Sequence, residues 1–224
     1  MIEVITCTQK SLEEFWNSSA LGLSLQRLAK DSRLSVSVAA NNRTGLPVLY
    51  NQKIFAVAGG EILVFAHDDL WLDDYFFADR LLEGLQHFEV LGLAGNRRRL
   101  PRQPSWAFID TQFVWDDPSQ LSGAVAHGPQ PFGEVARYGP APASCQLLDG
   151  LLLAARKSDL IQRRVSFDAR FQFHFYDLDF CRTAVQAGLR LGTWPICVTH
   201  QSGGRMGTPE WWAQYQSYLE KWGD

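Results

Sequence analysis

Five consecutive apolar residues, Ile62-Leu63-Val64-Phe65-Ala66, constrain this chain more than any other feature of it. The run stops abruptly at His67-Asp68-Asp69. A strand with no polar alternation has both faces in a core, and such strands belong to sheets covered by helices. The neighbouring sequence repeats the theme. Glu3 to Cys7 is β-prone, and Ser11-Leu12-Glu13-Glu14 has the form of a capping box that opens a helix. Leu34 to Ala39 alternates as a second strand. Gly45-Leu46-Pro47 opens a helix running through Leu49, Tyr50 and Ile54, with Pro47 in the first turn, where its missing N–H costs nothing. A helix over 73–86 and a strand over 90–94 follow. This β-α-β succession predicts a three-layer α/β/α domain with a mostly parallel central sheet.

The stretch 96–145 breaks the pattern. It is rich in Pro, Gly and Arg, with short strand-like pieces at Trp106 to Ile109 and Gln112 to Trp115, and reads as an irregular insertion or flap. Order returns with a core strand over Gly150 to Ala155 and a helix from Asp177 to Ala187 that Gly188 stops. A strand then runs from Pro195 to His200, and an aromatic-rich helix spans 209–222. With 224 residues, 46% of them hydrophobic, the whole chain 1–224 reads as one domain. A net charge of −3 argues against a nucleic-acid binder. No apolar run approaches the ~18 residues of a membrane span. The start, Met1-Ile2-Glu3-Val4, lacks a secretory pattern. The four cysteines show no CxxC, as expected of reduced thiols in a cytoplasmic protein.

Four clusters are candidates for chemistry. Asp68 and Asp69 sit where the apolar strand ends, and open α/β sheets bind ligands outside the carboxyl ends of their strands. Carboxylates there suit Mg²⁺ or Mn²⁺ on a diphosphate; they also suit the start of a following helix, for which Asp73 and Asp74 lie closer. Asp177 and Asp179 begin a helix among aromatic residues, as a general base or as helix N-terminal charges, with His174 three residues before. His200 ends a strand ahead of Gln201-Ser202-Gly203-Gly204, and a neutral imidazole is a suitable Mn²⁺ ligand. Arg97-Arg98-Arg99 and Arg102 form a basic loop that either grips an anion or is solvated. The signatures of serine hydrolases, P-loop NTPases, Rossmann dehydrogenases and zinc proteases are absent.

Taken in order, the pieces resemble the GT-A glycosyltransferases, the family-two-like group in particular. The resemblance lies in Asn42-Arg43-Thr44-Gly45-Leu46 through Tyr50-Asn51, in Ile62 to Asp69 as a strand with an Asp-x-Asp motif, in Asp149-Gly150 through Arg156, and in Phe167-Asp168 with Tyr176-Asp177-Leu178-Asp179-Phe180-Cys181 through Gly188-Leu189. It implies a nucleotide-diphosphate-sugar donor, Mn²⁺ or Mg²⁺ as cofactor, and transfer to a hydroxyl of an acceptor glycan or small molecule, inverting the anomeric centre. The halves would be a nucleotide-binding 1–95 and an acceptor-side 146–208, followed by a C-terminal helix in 209–224. Carried over by position, Asp69, Asp68 and His200 hold the metal, and Asp177 is the base. Thr6, Asn42, Asn51, His67 and Asp68 face the donor, and Asp149, Gly150 and His174 the acceptor. Two positions depart from the pattern: His67 opens the Asp-x-Asp motif, and Tyr176 stands in place of the family's Glu. The alternative is a non-catalytic sugar-nucleotide or glycan-binding module on the same scaffold. A nucleotidyltransferase is a third reading, for which Lys10 is the only early basic candidate. The aromatic face of the last helix suits core or subunit packing, sugar stacking or a membrane surface, and oligomeric state is left open.

Overall fold

A computed structural model describes residues 1–223. Strand β1 (Ile2–Cys7) pairs in parallel with β2 (Leu34–Ala39) and with β3 (Ile62–Ala66), so that Val4 stands opposite both Val36 and Val64. Helices α1 (Leu12–Ser18), α2 (Ala20–Arg27) and α3 (Leu46–Phe55) fill the connections. The capping box is present as read: Ser11 Oγ accepts from the Glu14 N–H, and Glu14 Oε2 accepts from the Ser11 N–H. Strand β4 (Leu70–Leu72), α4 (Phe77–Gly84), β5 (Val90–Gly92) and β6 (Ala94–Asn96) follow, then β7 (Leu121–His127), β8 (Glu134–Gly139), β9 (Ala143–Cys145) and β10 (Leu147–Leu148). The chain closes with β11 (Leu152–Arg156), α5 (Lys157–Arg163), α6 (Tyr176–Gln186), β12 (Leu191–Thr193), β13 (Val198–His200) and α7 (Pro209–Trp222).

The result is an α/β fold with two sheets. The larger runs β2-β1-β3-β11-β5-β12-β9. It is mixed: β1 with its two neighbours and β5 with β12 are parallel, but β11 is antiparallel to both β3 and β5. All five residues of β3 are buried, as their uniform apolarity requires. The smaller sheet runs β10-β6-β7-β13-β4, with β8 paired to β7. Two of its strands, β7 and β8, come from 96–145, so this Pro- and Arg-rich stretch contains ladders that its composition did not announce. Arg98 is tied into the fold there, gripping the buried Asp116 through two guanidinium nitrogens. Asn96 also donates to Asp116, over 2.8 Å.

The helix expected over 73–86 is shorter, because its first residues do other work. Asp73 is buried; its Oδ2 accepts from the Thr199 hydroxyl at 2.6 Å and from the Phe132 N–H at 3.1 Å, and its N–H donates to Cys197. Asp73 therefore pins β4 against β13 instead, whereas Asp74 stays at the start of the helix, accepting from the Phe76 N–H at 2.8 Å and lying 3.6 Å from Arg80 Nε; α4 begins at Phe77. Of the cysteines, Cys145 and Cys181 are buried, Cys7 is partly buried and Cys197 is exposed; all four are free thiols.

Helix α7 turns its aromatic face inward: Trp211, Tyr215 and Tyr218 lie 5.2, 5.5 and 5.4 Å from the Phe175 ring, centroid to centroid. The core-packing reading holds for these three. Among the described residues no helix is long and apolar enough to cross a membrane. The end of α7 is fixed by Asp179, fully buried on α6, which takes Lys221 Nζ at 2.6 Å and Trp222 Nε1 at 2.9 Å. Burial raises the Asp179 carboxyl above its usual value, and Lys221 opposes that rise. Lys221→Met leaves the carboxylate without its cation, which costs about 2–3 kcal/mol, somewhat below the usual toll for a fully buried pair because Lys221 is partly exposed. A carboxyl with a raised folded-state pKa is penalised more as pH rises through it. Urea denaturation should therefore show a larger Lys221→Met deficit at pH 8 than at pH 5.

Candidate active site

The site is assembled by strand register. Strand β3 ends at Ala66, and β11 runs back beside it with Leu152 opposite Ala66. That pairing delivers the turn Asp149-Gly150-Leu151 next to His67, whose N–H donates to the Leu151 carbonyl at 3.1 Å. Strand β13 lies between β4 and β7, with His200 opposite Leu70 and His127. The first turn of α6 meets the Asp149-Gly150 turn through Tyr176 and Asp177.

Three side chains converge here. His200 Nε2 lies 3.3 Å from Asp69 Oδ2, and His67 Nδ1 lies 3.9 Å from Asp69 Oδ1. One donor atom from each of His67, Asp69 and His200 falls within 4.8 Å of the other two. Burial favours protonation of Asp69, but hydrogen bonds from His200 and Ser202 outweigh it and hold the carboxyl well below the usual range. Burial holds the His67 imidazole below its usual value against the pull of Asp69 and Asp149, so it is neutral and offers a lone pair at pH 7. Two imidazoles and an ionised carboxylate are a fitting donor set for a divalent transition ion.

The other predicted residues divide. Asp68 turns away from this cluster: its Oδ2 accepts from Thr8 Oγ1 at 2.5 Å and lies 3.7 Å from Lys10 Nζ. The expected Asp68–Asp69 pair is thus replaced by His67–Asp69, because adjacent residues leaving a strand point to opposite sides. Thr6 is fully buried, its Oγ1 has no hydrogen-bond partner, and it lines a cleft with Cys7, Ser37, Ala39, Gln52 and Lys53. Asn42 closes a local turn on Thr44. Asn51, expected to face the donor, instead clasps the Phe167 backbone, accepting its N–H at 2.9 Å and donating to its carbonyl at 2.7 Å. His174 stands beside Phe173, with Glu210 and Arg205 as its charged neighbours, outside the cluster.

Asp149, Gly150, Tyr176 and Asp177 form one clasp. Asp149 Oδ1 accepts from the Leu151 N–H at 2.8 Å, and its Oδ2 accepts from the Trp106 indole at 2.5 Å. The Gly150 N–H donates to Asp177 Oδ2 at 3.0 Å, and the Gly150 carbonyl accepts from the Tyr176 hydroxyl at 2.8 Å. Asp177 Oδ1 accepts from the Leu178 N–H at 2.9 Å. Burial, reinforced by the Asp149 charge, pushes the Asp177 carboxyl up to about 7. Position-by-position reasoning missed Trp106, Ser202 and Thr8; each meets its partner across a large sequence separation or in a local pattern too common to single out.

No family model matches the sequence, and no curated protein matches it either. Solved structures do. The catalytic domain of Drosophila beta1,4galactosyltransferase 7, in complex with xylobiose, is similar over 86% of this chain and 63% of its own, with 12% identity and a TM-score of 0.51. GalNAc-T7 with UDP, GalNAc and Mn²⁺ is similar over 100% of this chain and 48% of its own, with 14% identity and a TM-score of 0.56. This is a GT-A glycosyltransferase fold. At such identities the likeness establishes the fold, and the chain spans between about half and two thirds of these two proteins' lengths.

Within this GT-A frame Gly150 has no room for a side chain. A Cβ there would collide with the Tyr176 hydroxyl and come within 2.9 Å of Asp177 Cβ. Gly150→Ala forces the clasp apart, and overpacking of this kind costs about 1–3 kcal/mol. Chemical denaturation is expected to show that loss, whereas alanine at the open Gly203, with nothing within 4 Å of a Cβ, should leave stability unchanged.

Proposed function

We propose that this chain is a glycosyltransferase that moves a sugar from a nucleotide-diphosphate donor to an acceptor hydroxyl with the help of a divalent metal. One observation carries the reading: a His67–Asp69–His200 donor set at the carboxyl end of β3 in a GT-A fold. His67 Nδ1, an Asp69 oxygen and His200 Nε2 would hold the ion. When bound, such an ion offsets the charge that develops on a leaving diphosphate. Two nitrogen donors favour Mn²⁺ over Mg²⁺, which prefers an all-oxygen shell. The cleft at Thr6 and the Thr8–Asp68–Lys10 group would face the nucleoside. The Asp149–Trp106 pair would face the sugars.

Asp177 acts as the base. It takes the proton of the acceptor hydroxyl at a carboxylate oxygen while that hydroxyl oxygen attacks the anomeric carbon. The bond to the diphosphate breaks on the opposite face, and the centre inverts. A carboxyl near 7 is well matched to this task at physiological pH. A second reading rests on a specific contact: both Asp177 oxygens already accept backbone N–H bonds. That arrangement also suits a module that binds a sugar nucleotide without transferring the sugar.

Thermal shift with UDP, GDP, dTDP and CDP, each with Mn²⁺, Mg²⁺ or EDTA, tests the donor site; UDP comes first because it is bound to GalNAc-T7. A ligand at 100 times its Kd adds about 2.7 kcal/mol to the folded state. One nucleotide should stabilise the protein only with metal, and Asp69→Ala should abolish the shift; silence from every nucleotide in the wild type sinks the proposal. Transfer or donor hydrolysis should rise with pH through about 7, as Asp177 loses its proton. Asp177→Asn should cost about 10²-fold or more in kcat. Metal-dependent nucleotide binding with no turnover in wild type would favour the binding module.

A further inference from the structure

The two positions at which this chain departs from the resemblance, His67 and Tyr176, touch each other. His67 Nε2 lies 3.0 Å from the Tyr176 hydroxyl. That hydroxyl also lies 2.8 Å from the Gly150 carbonyl, a group that can only accept. A phenol has one hydrogen. With that hydrogen committed to Gly150, the Tyr176 oxygen faces His67 as an acceptor, and His67 must carry its proton on Nε2. A neutral imidazole has only one N–H, so Nδ1 is bare, and Nδ1 is the atom that faces Asp69 at 3.9 Å.

The surroundings leave the ring little choice. Tyr176 is only 2% exposed and packs on Tyr50 and Phe167. Phe173 stacks on the His67 ring, 5.7 Å between centroids at 28°. The His67 main chain is held by the Leu151 carbonyl. Gly150 lacks the Cβ that would push the Tyr176 hydroxyl away.

We propose that Tyr176 is a positioning residue: anchored on the Gly150 carbonyl, it locks His67 in the Nε2–H tautomer and thereby makes Nδ1 the third donor of the metal site. The two departures then act as one pair, an imidazole ligand and the phenol oxygen that orients it. The inference rests on the metal reading above and deepens it. Partners that fix the second nitrogen of a ligating histidine set both its tautomer and its aim. A site built this way takes ions that accept nitrogen, such as Mn²⁺, Co²⁺ and Zn²⁺, ahead of Mg²⁺.

Two measurements decide it. In the metal-free wild type, histidine ¹⁵N shifts should show His67 protonated at Nε2; protonation at Nδ1 overturns the proposal without any variant being needed. Co²⁺ titration, followed by calorimetry and visible absorption, should then show Tyr176→Phe binding about 10–100-fold more weakly than wild type. The same substitution in a His67→Ala background should cost nothing further. Equal losses in both backgrounds, or wild-type affinity in Tyr176→Phe, overturn the role of Tyr176 and leave the metal site standing. A wild type that binds neither Co²⁺, Mn²⁺ nor Zn²⁺ removes the metal site and this proposal together.

Discussion

The antiparallel pairing of β11 with β3 is the constraint on which the site depends. Because Leu152 stands opposite Ala66, the turn that precedes β11 and the residues that follow β3 meet at one end of the sheet. A parallel strand in that position would enter from the other end and carry Asp149 and Gly150 away from His67. The antiparallel entry places the Gly150 carbonyl under the Tyr176 hydroxyl and the Gly150 N–H against Asp177. One glycine, through its N–H and its carbonyl, thus ties the turn before β11 to the helix that holds the candidate base.

Around that clasp the charges separate into two environments. Asp69 is kept ionised by His200 and Ser202, whereas Asp177, buried and facing the Asp149 charge, is pushed toward protonation. Two carboxyl groups with their proton affinities driven apart are what metal binding and proton abstraction respectively require. Asp179, only two residues beyond Asp177, has a third fate: on the far side of the same helix turn it anchors Lys221 and Trp222 of α7. Three acids of similar sequence character therefore do three different things, and their partners alone decide which.

Much of the fold was legible residue by residue. The unbroken apolarity of β3, the Ser11–Glu14 capping box, Pro47 in the first turn of α3 and the aromatic helix from 209 to 222 all act locally, and the structure keeps them. Direction within the sheet was not legible, because an apolar strand reads the same whether its neighbour runs up or down; hence β11. The strands of 96–145 were hidden for a related reason. β7 and β8 are six or seven residues long, but they lie among Pro- and Gly-rich turns and are stabilised in part by distant partners, as β7 is by β13. At the site, Asp69 and His200 were visible as polar residues ending apolar strands. Asp68 and Asn51 looked equally apt, but one bonds Thr8 and the other the Phe167 backbone, contacts 60 and 116 residues away in sequence.

The amino-acid sequence by itself determined many of the strands and helices, among them β1, β2, β3, α3 and α7, and which polar residues stand at their ends, because hydrophobic period, caps and turn residues work over a few neighbouring positions. The tertiary structure alone decided which polar residues face one another. Nothing in the sequence pairs His67, Tyr176 and Gly150 with one another, and they become a chain of hydrogen bonds only when β3, β11 and α6 are brought to one point. Hydrogen bonds reach about 3 Å and depend on angle. The roles of these residues therefore follow from register and packing between segments far apart in the chain, which local pattern does not encode.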